Sequence, residues 1–561
     1  MPLERVVWGP PGTGKTSSAI TLVRNWMESG VDPTRIAFLA FTKAAAKAAA
    51  VKVFETEDDT RMIQMFPYFR TVHSLCWRGL HKNRADVRLI NTGDMKQFAK
   101  VFSMDGTYSV YDWEDLAEVY AQMKNQGRTE WDTALAAYQM TRTKAQSVDD
   151  LDKARVMPNN EGLMMLGVQN MGLNIYQNFV EKYEKFKLAD GLIDFTDMLE
   201  YGVREMPAFD DIRYVLLDEC QDLSGIHHLL IDRVLSKAEE IWWLGDDDQA
   251  IYKWSGASAE LFLERAKRAS IQIQLRQTKR FGQNIVNFST QIINRVAHRH
   301  PKEIIGVSGR EGRILVTGTF EPMPGDIMIL HRHVLGCQNV AQAYIDAGLP
   351  FRNERGLDPL SFTKRIRIWE AIQDLSAGKT ISGSQAAVLI EDGMKSHIVD
   401  EGTKIKVDLL VRGAKSRLEE KVKGAVSLQD LVQAKILTGE GARVIAERNY
   451  QVLNYTNDFR YYDRLSANGY ALEYEGEDER KIPRITTIHG AKGRQAEQTV
   501  VFTEMSGRCW EDFETEHRLA YVAVTRTETD VNICWENRVN WAKDFYDYPV
   551  PEEVPNPEQV G

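Results

Sequence analysis

The stretch Gly9-Pro10-Pro11-Gly12-Thr13-Gly14-Lys15-Thr16 follows the apolar residues Val6-Val7-Trp8 and precedes a helix-compatible run from Ser17 to Met27. Glycines at this spacing let the backbone turn tightly and aim its N–H groups inward at phosphate oxygens. A helix N-terminus behind the loop adds partial positive charge. Lys15 is of the type and in the place to neutralise β- and γ-phosphates, and the Thr16 hydroxyl is a hard oxygen donor suited to Mg²⁺. The chemistry open to these residues is capture of a nucleoside triphosphate, with Gly9, Pro10, Pro11, Gly12, Thr13, Gly14, Lys15 and Thr16 as the binding residues.

Two later segments supply what triphosphate chemistry still needs. The apolar Tyr214-Val215-Leu216-Leu217 runs into Asp218-Glu219-Cys220-Gln221-Asp222. A strand ending in two carboxylates puts them at the carboxyl edge of a parallel sheet, where open α/β folds bind ligands. Asp218 can there hold Mg²⁺ through water, and Glu219 can polarise the water that attacks the γ-phosphate. In the same way Ile241-Trp242-Trp243-Leu244 leads to Gly245-Asp246-Asp247-Asp248-Gln249-Ala250-Ile251-Tyr252-Lys253-Trp254. Gln249 is placed to touch the γ-phosphate, and Tyr252 and Trp254 offer flat faces. Nucleic-acid bases stack on such faces with about 1–3 kcal/mol each, whatever the base.

These groups need a sheet to hold them. Apolar strands predicted at Arg35–Ala40, Tyr214–Leu217, Ile241–Leu244, Gly312–Val316 and Thr499–Phe502 alternate with helical patterns, which implies parallel sheets covered by helices. The alanine-rich Ala44–Ala50 begins a helix after the first of these. From Leu80 to Ala189, and again from about Ser376 to Lys481, charged helix-favouring sequence replaces the strand signals and predicts two inserted helical domains. A chain of 561 residues with 43% hydrophobic content can bury several cores. Its formal charge of −10 does not point to nucleic acid, but a global sum does not report a local groove. The five cysteines include no Cys-x-x-Cys pair, which argues against a zinc module or a disulfide framework and for reduced, intracellular thiols. No apolar run approaches a membrane span and the N-terminus enters a predicted strand, so the expectation is a soluble, cytoplasmic protein with no membrane partner.

Further segments give the pattern a likeness. Phe41-Thr42-Lys43-Ala44-Ala45, Thr71-Val72-His73-Ser74, Asp194-Phe195-Thr196-Asp197-Met198-Leu199, the Asp218 and Gly245 segments, Leu275-Arg276-Gln277-Thr278-Lys279-Arg280, Thr487-Ile488-His489-Gly490-Ala491-Lys492-Gly493 and Arg518-Leu519-Ala520-Tyr521-Val522-Ala523-Val524-Thr525-Arg526 occur in that order. In this the chain resembles the UvrD/Rep-like branch of superfamily 1 DNA helicases, over nearly its whole length. Lys279 stands where that family usually has a tyrosine, and only eight residues precede Gly9, where the family carries a glutamine-bearing element. Both differences fall on the adenine side.

The resemblance implies an α/β fold of two RecA-like P-loop NTPase domains with parallel sheets, each interrupted by a mainly helical insertion. The first would comprise residues 1–79 and 190–270 with the insertion 80–189, and the second 271–375 and 482–548 with the insertion 376–481. Residues 549–561, rich in proline and glutamate, would form a disordered tail. ATP and Mg²⁺ are the implied cofactors. Lys15, Glu219, Gln249, Arg280 and Arg526 would be catalytic, with Gln249, Arg280 and Arg526 also touching ATP and Thr16 and Asp218 holding the metal. Phe41, Thr42, His73, Tyr252, Trp254, Thr487, His489 and Lys492 would contact single-stranded DNA. The implied activity is ATP-driven translocation on single strands and 3′–5′ unwinding at single-strand/duplex junctions, by a monomer with replication or repair proteins as further partners. The alternative is a DNA-stimulated ATPase that strips nucleoprotein complexes with little unwinding. Within the second insertion, the lysine- and arginine-rich Lys395–Lys423 forms either a duplex-facing patch or a solvated helical surface.

Overall fold

The computed structural model describes residues 2–54, 64–83, 87–102, 130–158, 172–395, 399, 425–474, 479–504 and 512–534. Nearly all of the basic stretch 395–423, the tail 549–561 and Cys509 lie outside these residues. The chain divides into two compact units, one of residues 1–315, 505–531 and 543–550 and the other of 316–504, 532–542 and 551–561.

Six strands of the first unit form one sheet: β1 (Leu3–Trp8), β2 (Ile36–Ala40), β3 (Phe69–Thr71), β4 (Tyr214–Leu217), β5 (Glu240–Gly245) and β6 (Ile271–Gln274), in the order β3-β2-β4-β5-β1-β6 and parallel throughout. The period of two in a strand explains why these segments read as unbroken apolar runs: both faces are covered. Val6, Trp8, Ala37, Leu39, Val215, Leu217, Ile241 and Trp243 face one core. Val7, Ile36, Phe38, Ala40, Leu216, Trp242 and Leu244 face the other, with Ala19, Ile20 and Val23 from helix α1 (Lys15–Glu28) and Ala46, Ala49 and Val53 from α2 (Lys43–Phe54).

Between β3 and β4 the first unit carries helices α3 (Val72–Asn83), α4 (Thr92–Val101), α5 (Glu130–Thr143), α6 (Val148–Ala154), α7 (Leu173–Ala189) and α8 (Phe195–Arg204). Phe98, Ala134, Ala137, Tyr138, Tyr176, Phe179 and Tyr183 build a separate core among them. This helical core is tied to α8 by a buried ionic network. Arg142, with no exposed surface, lies 3.3 Å from Asp194 and 3.1 Å from Glu200 and also reaches Asp197. Lys187 reaches Asp194 at 3.3 Å, Asp197 at 2.6 Å and Glu184 at 2.7 Å. Burial pushes the Asp194 carboxyl up, but Lys187 and Arg142 outweigh it and hold that group well below the ordinary carboxylate range. Stripping a buried carboxylate cluster of its cation is costly, so Arg142→Met should lower stability by about 3–5 kcal/mol in urea denaturation. A loss below about 1 kcal/mol, typical of an exposed ion pair, would contradict this account.

Two glycines mark where this helical part meets the rest of the unit. A β-carbon at Gly225, which opens α9 (Gly225–Val234), would lie 2.4 Å from the Ala145 carbonyl oxygen. One at Gly256, whose φ is +94°, would lie 2.6 Å from Thr143 Oγ1.

The second unit is built on parallel strands β7 (Ile327–His331), β8 (Arg352–Asn353), β9 (Arg484–Thr487) and β10 (Ala496–Phe502), in the order β8-β9-β7-β10. Around them pack α10 (Val334–Ala347), α11 (Thr363–Ser376) and the shorter helices Gly383–Val388, Leu428–Gln433, Gly439–Ala446 and Thr456–Ala467, sharing a core through Ile329, Tyr344, Ile372, Ile445, Phe459 and Val500. The chain passes between the units within two further strands, Arg313–Thr317 and Thr527–Cys534. The predicted α/β class with two parallel sheets and helical intervals is thus what the chain adopts. Among the described residues no helix is long and apolar enough to cross a membrane.

Candidate nucleotide site and strand-contact residues

The carboxyl ends of β1, β4, β5 and β6 bring the candidate residues of the first unit to one edge of its sheet, because all strands run the same way. The loop after β1 is pinned by Gly9 N–H donating to the Gly245 carbonyl at 3.0 Å. Gly12 at φ +75° and Gly14 at φ +82° occupy left-handed conformations that open to glycine without strain. Gly14 caps α1, so the helix begins at Lys15 itself. The Lys15 side chain is buried and folds over Gly9, donating Nζ–H to the Gly9 carbonyl at 2.7 Å. Thr13 Oγ1 donates to the Pro10 carbonyl at 2.8 Å, which fixes the turn through Pro10 and Pro11.

Thr16 Oγ1 donates to Asp218 Oδ2 at 2.8 Å. A hydroxyl and a carboxylate converging in this way form a hard-oxygen donor pair that fits Mg²⁺. Burial, and then the neighbouring Glu219, raise the Asp218 carboxyl to about 6 against the opposing pull of Lys15. Glu219 adopts φ 56°, a left-handed conformation uncommon for a non-glycine residue and concentrated at functional sites. Gln221 steadies it, donating Nε2–H to Glu219 Oε2 at 2.5 Å while its own Oε1 accepts from the Asp246 N–H at 3.0 Å.

Gln249 lies buried between two charged partners. Its Nε2–H donates to Asp246 Oδ2 at 2.8 Å, and its Oε1 accepts from Arg526 Nη2 at 3.0 Å. Arg526 is buried at the end of α12 (Phe513–Val524), and Arg280 donates to the Thr525 carbonyl at 2.8 Å. Burial, and then repulsion from Arg280, lower Arg526 to about 9, and burial lowers Arg280 to about 10. Both remain cationic at neutral pH. The segment carrying Arg280 docks on the phosphate loop: Thr278 Oγ1 donates to the Pro11 carbonyl at 2.9 Å and Lys279 N–H to the Gly12 carbonyl at 2.8 Å. A β-carbon at Gly12 would stand 2.6 Å from the Arg280 β-carbon. Lys15, Thr16, Asp218, Glu219, Gln249, Arg280 and Arg526 all fall within the first compact unit, so Arg280 and Arg526, expected within the second domain, lie in the same unit as the phosphate loop.

The strand-contact candidates divide between the units. In the first, Phe41 and Tyr252 are half-buried with their rings nearly parallel and 5.9 Å apart, and Trp254 stands edge-on to Tyr252 at 6.1 Å. Thr42 Oγ1 accepts from the Ala45 N–H at 3.0 Å and so starts α2. His73 packs edge-on to Phe195 and His227. In the second unit, Thr487 closes β9 and its Oγ1 accepts from the Gly490 N–H at 3.2 Å, turning the chain through the half-buried His489 and Lys492. Replacing Trp254 with alanine should reduce DNA stimulation of ATP hydrolysis more than basal turnover. Equal loss of both would make that ring a purely structural one.

Several groups carry no mark in the sequence that sets them apart. Thr278 is one, although it is the side chain that seats Arg280 on the loop. His298-Arg299-His300-Pro301-Lys302 faces Asp246–Asp248, a pairing whose signal in the sequence is one basic run matching one acidic run. These three aspartates have the spacing of a metal-binding group, but Lys302 sits among their oxygens and Arg299 takes Asp248, so their oxygens are already engaged by two cations.

Residues 3–270 match the model of the UvrD/REP helicase N-terminal domain family. The chain is also similar to DNA helicase II of Escherichia coli (strain K12), 22% identical over 499 residues covering 70% of this chain and 68% of that protein. A probable DNA helicase II homolog of Rickettsia conorii is 25% identical over 64% of this chain and 56% of its own length, and another of Mycoplasma capricolum is 25% identical over 56% and 41%. Against these last two, the chain spans about half the relatives' length.

Proposed function

We propose that the protein is an ATP-driven motor that moves 3′ to 5′ on single-stranded DNA and unwinds duplex at a single-strand junction. The observation that supports this most is the Arg526–Gln249 contact at 3.0 Å beside a loop on which Arg280 is already docked, because it unites two cations and a polar sensor around the phosphate position. Lys15 and the loop N–H groups bind the triphosphate. Thr16 and Asp218 would hold Mg²⁺, which would neutralise phosphate oxygens. Glu219 takes a proton from water as its oxygen bonds to the γ-phosphorus and the bond to the bridging β–γ oxygen breaks, leaving ADP and phosphate. Arg280 and Arg526 stabilise the charge that spreads over the transferring group, and Gln249 registers its presence. Phe41, Tyr252 and Trp254 stack bases, while Thr42, His73, Thr487, His489 and Lys492 hold the strand backbone. Grip that changes with nucleotide state turns hydrolysis into directed travel.

One experiment tests the reading: ATP hydrolysis with and without single strands, followed by unwinding of duplexes bearing a 3′ or a 5′ tail. Strong stimulation and unwinding from the 3′ tail are expected. Equal hydrolysis with and without DNA would remove any motor, and stimulation without unwinding would select the nucleoprotein-stripping ATPase instead.

A further inference from the structure

Three consecutive carboxylates can be buried only with matching positive charge. Asp246, Asp247 and Asp248 have no exposed surface, and the stretch from His298 to Lys302 supplies that charge. The Lys302 ammonium, itself wholly buried, lies 3.0 Å from Asp246 Oδ1 and 2.9 Å from Asp248 Oδ2 and also meets Asp247. Arg299 grips Asp248 with two parallel bonds, Nε at 2.8 Å and Nη2 at 2.7 Å, and the His300 N–H donates to Asp247 Oδ2 at 2.8 Å. Arg518 of α12 ties both segments together, donating to the Asp247 carbonyl at 3.0 Å and to the His298 carbonyl at 2.7 Å. The Trp8 ring, one residue before the phosphate loop, lies flat on His300 at 4.1 Å.

Asp246 also accepts from Gln249, whose other end faces Arg526. A primary amide set between a carboxylate oxygen and a guanidinium has one orientation, carbonyl towards the guanidinium. Displacing Asp246 would release that orientation. We propose that Lys302 is a positioning residue for Gln249: its ammonium holds Asp246 in place beside Asp247 and Asp248, and thereby fixes the amide that senses the γ-phosphate, with Arg299 as its second support.

This inference rests on the ATPase reading of the first unit. Its test is a double-mutant cycle on the full chain, using DNA-stimulated hydrolysis and binding of a fluorescent ATP analogue for wild type, Lys302→Met, Gln249→Ala and the double variant. Lys302→Met should lower kcat about tenfold while the analogue's Kd stays within about twofold, and the double variant should be no more than about twofold slower than Gln249→Ala. A wild-type kcat in Lys302→Met, a loss repeated in full on top of Gln249→Ala, or a Kd that rises as much as kcat falls would each overturn it. Should Lys302→Met fail to fold, Arg299→Gln enters the same cycle, with an expected fall of about threefold and the same overturning outcomes. A wild-type chain that does not hydrolyse ATP would instead sink the ATPase reading, so the two failures are distinct.

Discussion

Lys15→Ala is expected to lower DNA-stimulated ATP hydrolysis at least about a hundredfold, the scale of removing one preorganised charge donor from a phosphoryl-transfer site. The fold should survive, since Lys15 makes its bond to the loop's own Gly9 carbonyl and belongs to neither apolar core. Circular dichroism and thermal melting of the variant, alongside the hydrolysis assay, check both halves of the statement. Substantial turnover in a properly folded variant would contradict the assignment of the loop.

Arg526→Ala should cost still more in the chemical step, about a thousandfold, as a guanidinium stabilising transferring phosphoryl charge contributes. ATP affinity should change far less, because that charge develops fully only in the transition state. Arg526→Lys should restore little: Arg526 bonds Gln249 through Nη2 and the Val522 carbonyl through Nε, a fork that an ammonium cannot reproduce. Single-turnover hydrolysis with saturating nucleotide isolates the step. An unchanged rate, or a loss confined to affinity, would remove Arg526 from the catalytic group.

How far the sequence spoke depended on whether a residue's neighbours were near it in the chain. The phosphate loop, the strand ending at Asp218 and the turn at Gln249 are each set by local rules, namely glycine conformations, apolar strand runs and the carboxyl edge of a parallel sheet, and they are found as read. Helix boundaries followed as well: Ala44–Ala50 falls within α2, Lys43–Phe54. The relation of Arg526 to Gln249 spans 277 positions and could be read only through the resemblance. Arg142, buried against Asp194, Asp197 and Glu200, carried no local mark at all, since on a helix its type suggests solvent. Lys302 was hidden for the same reason, although the charge of its partners announced that some cation had to arrive.

The bare backbone at Gly225 and Gly256 has a consequence for which alleles the gene can carry. A single methyl at either would collide with the chain at 143–145, and Gly256 lies two residues after Trp254. A saturation library scored for activity should therefore find these two sites as intolerant as the loop around Lys15, with the forbidden neighbour eighty or more codons away in the gene.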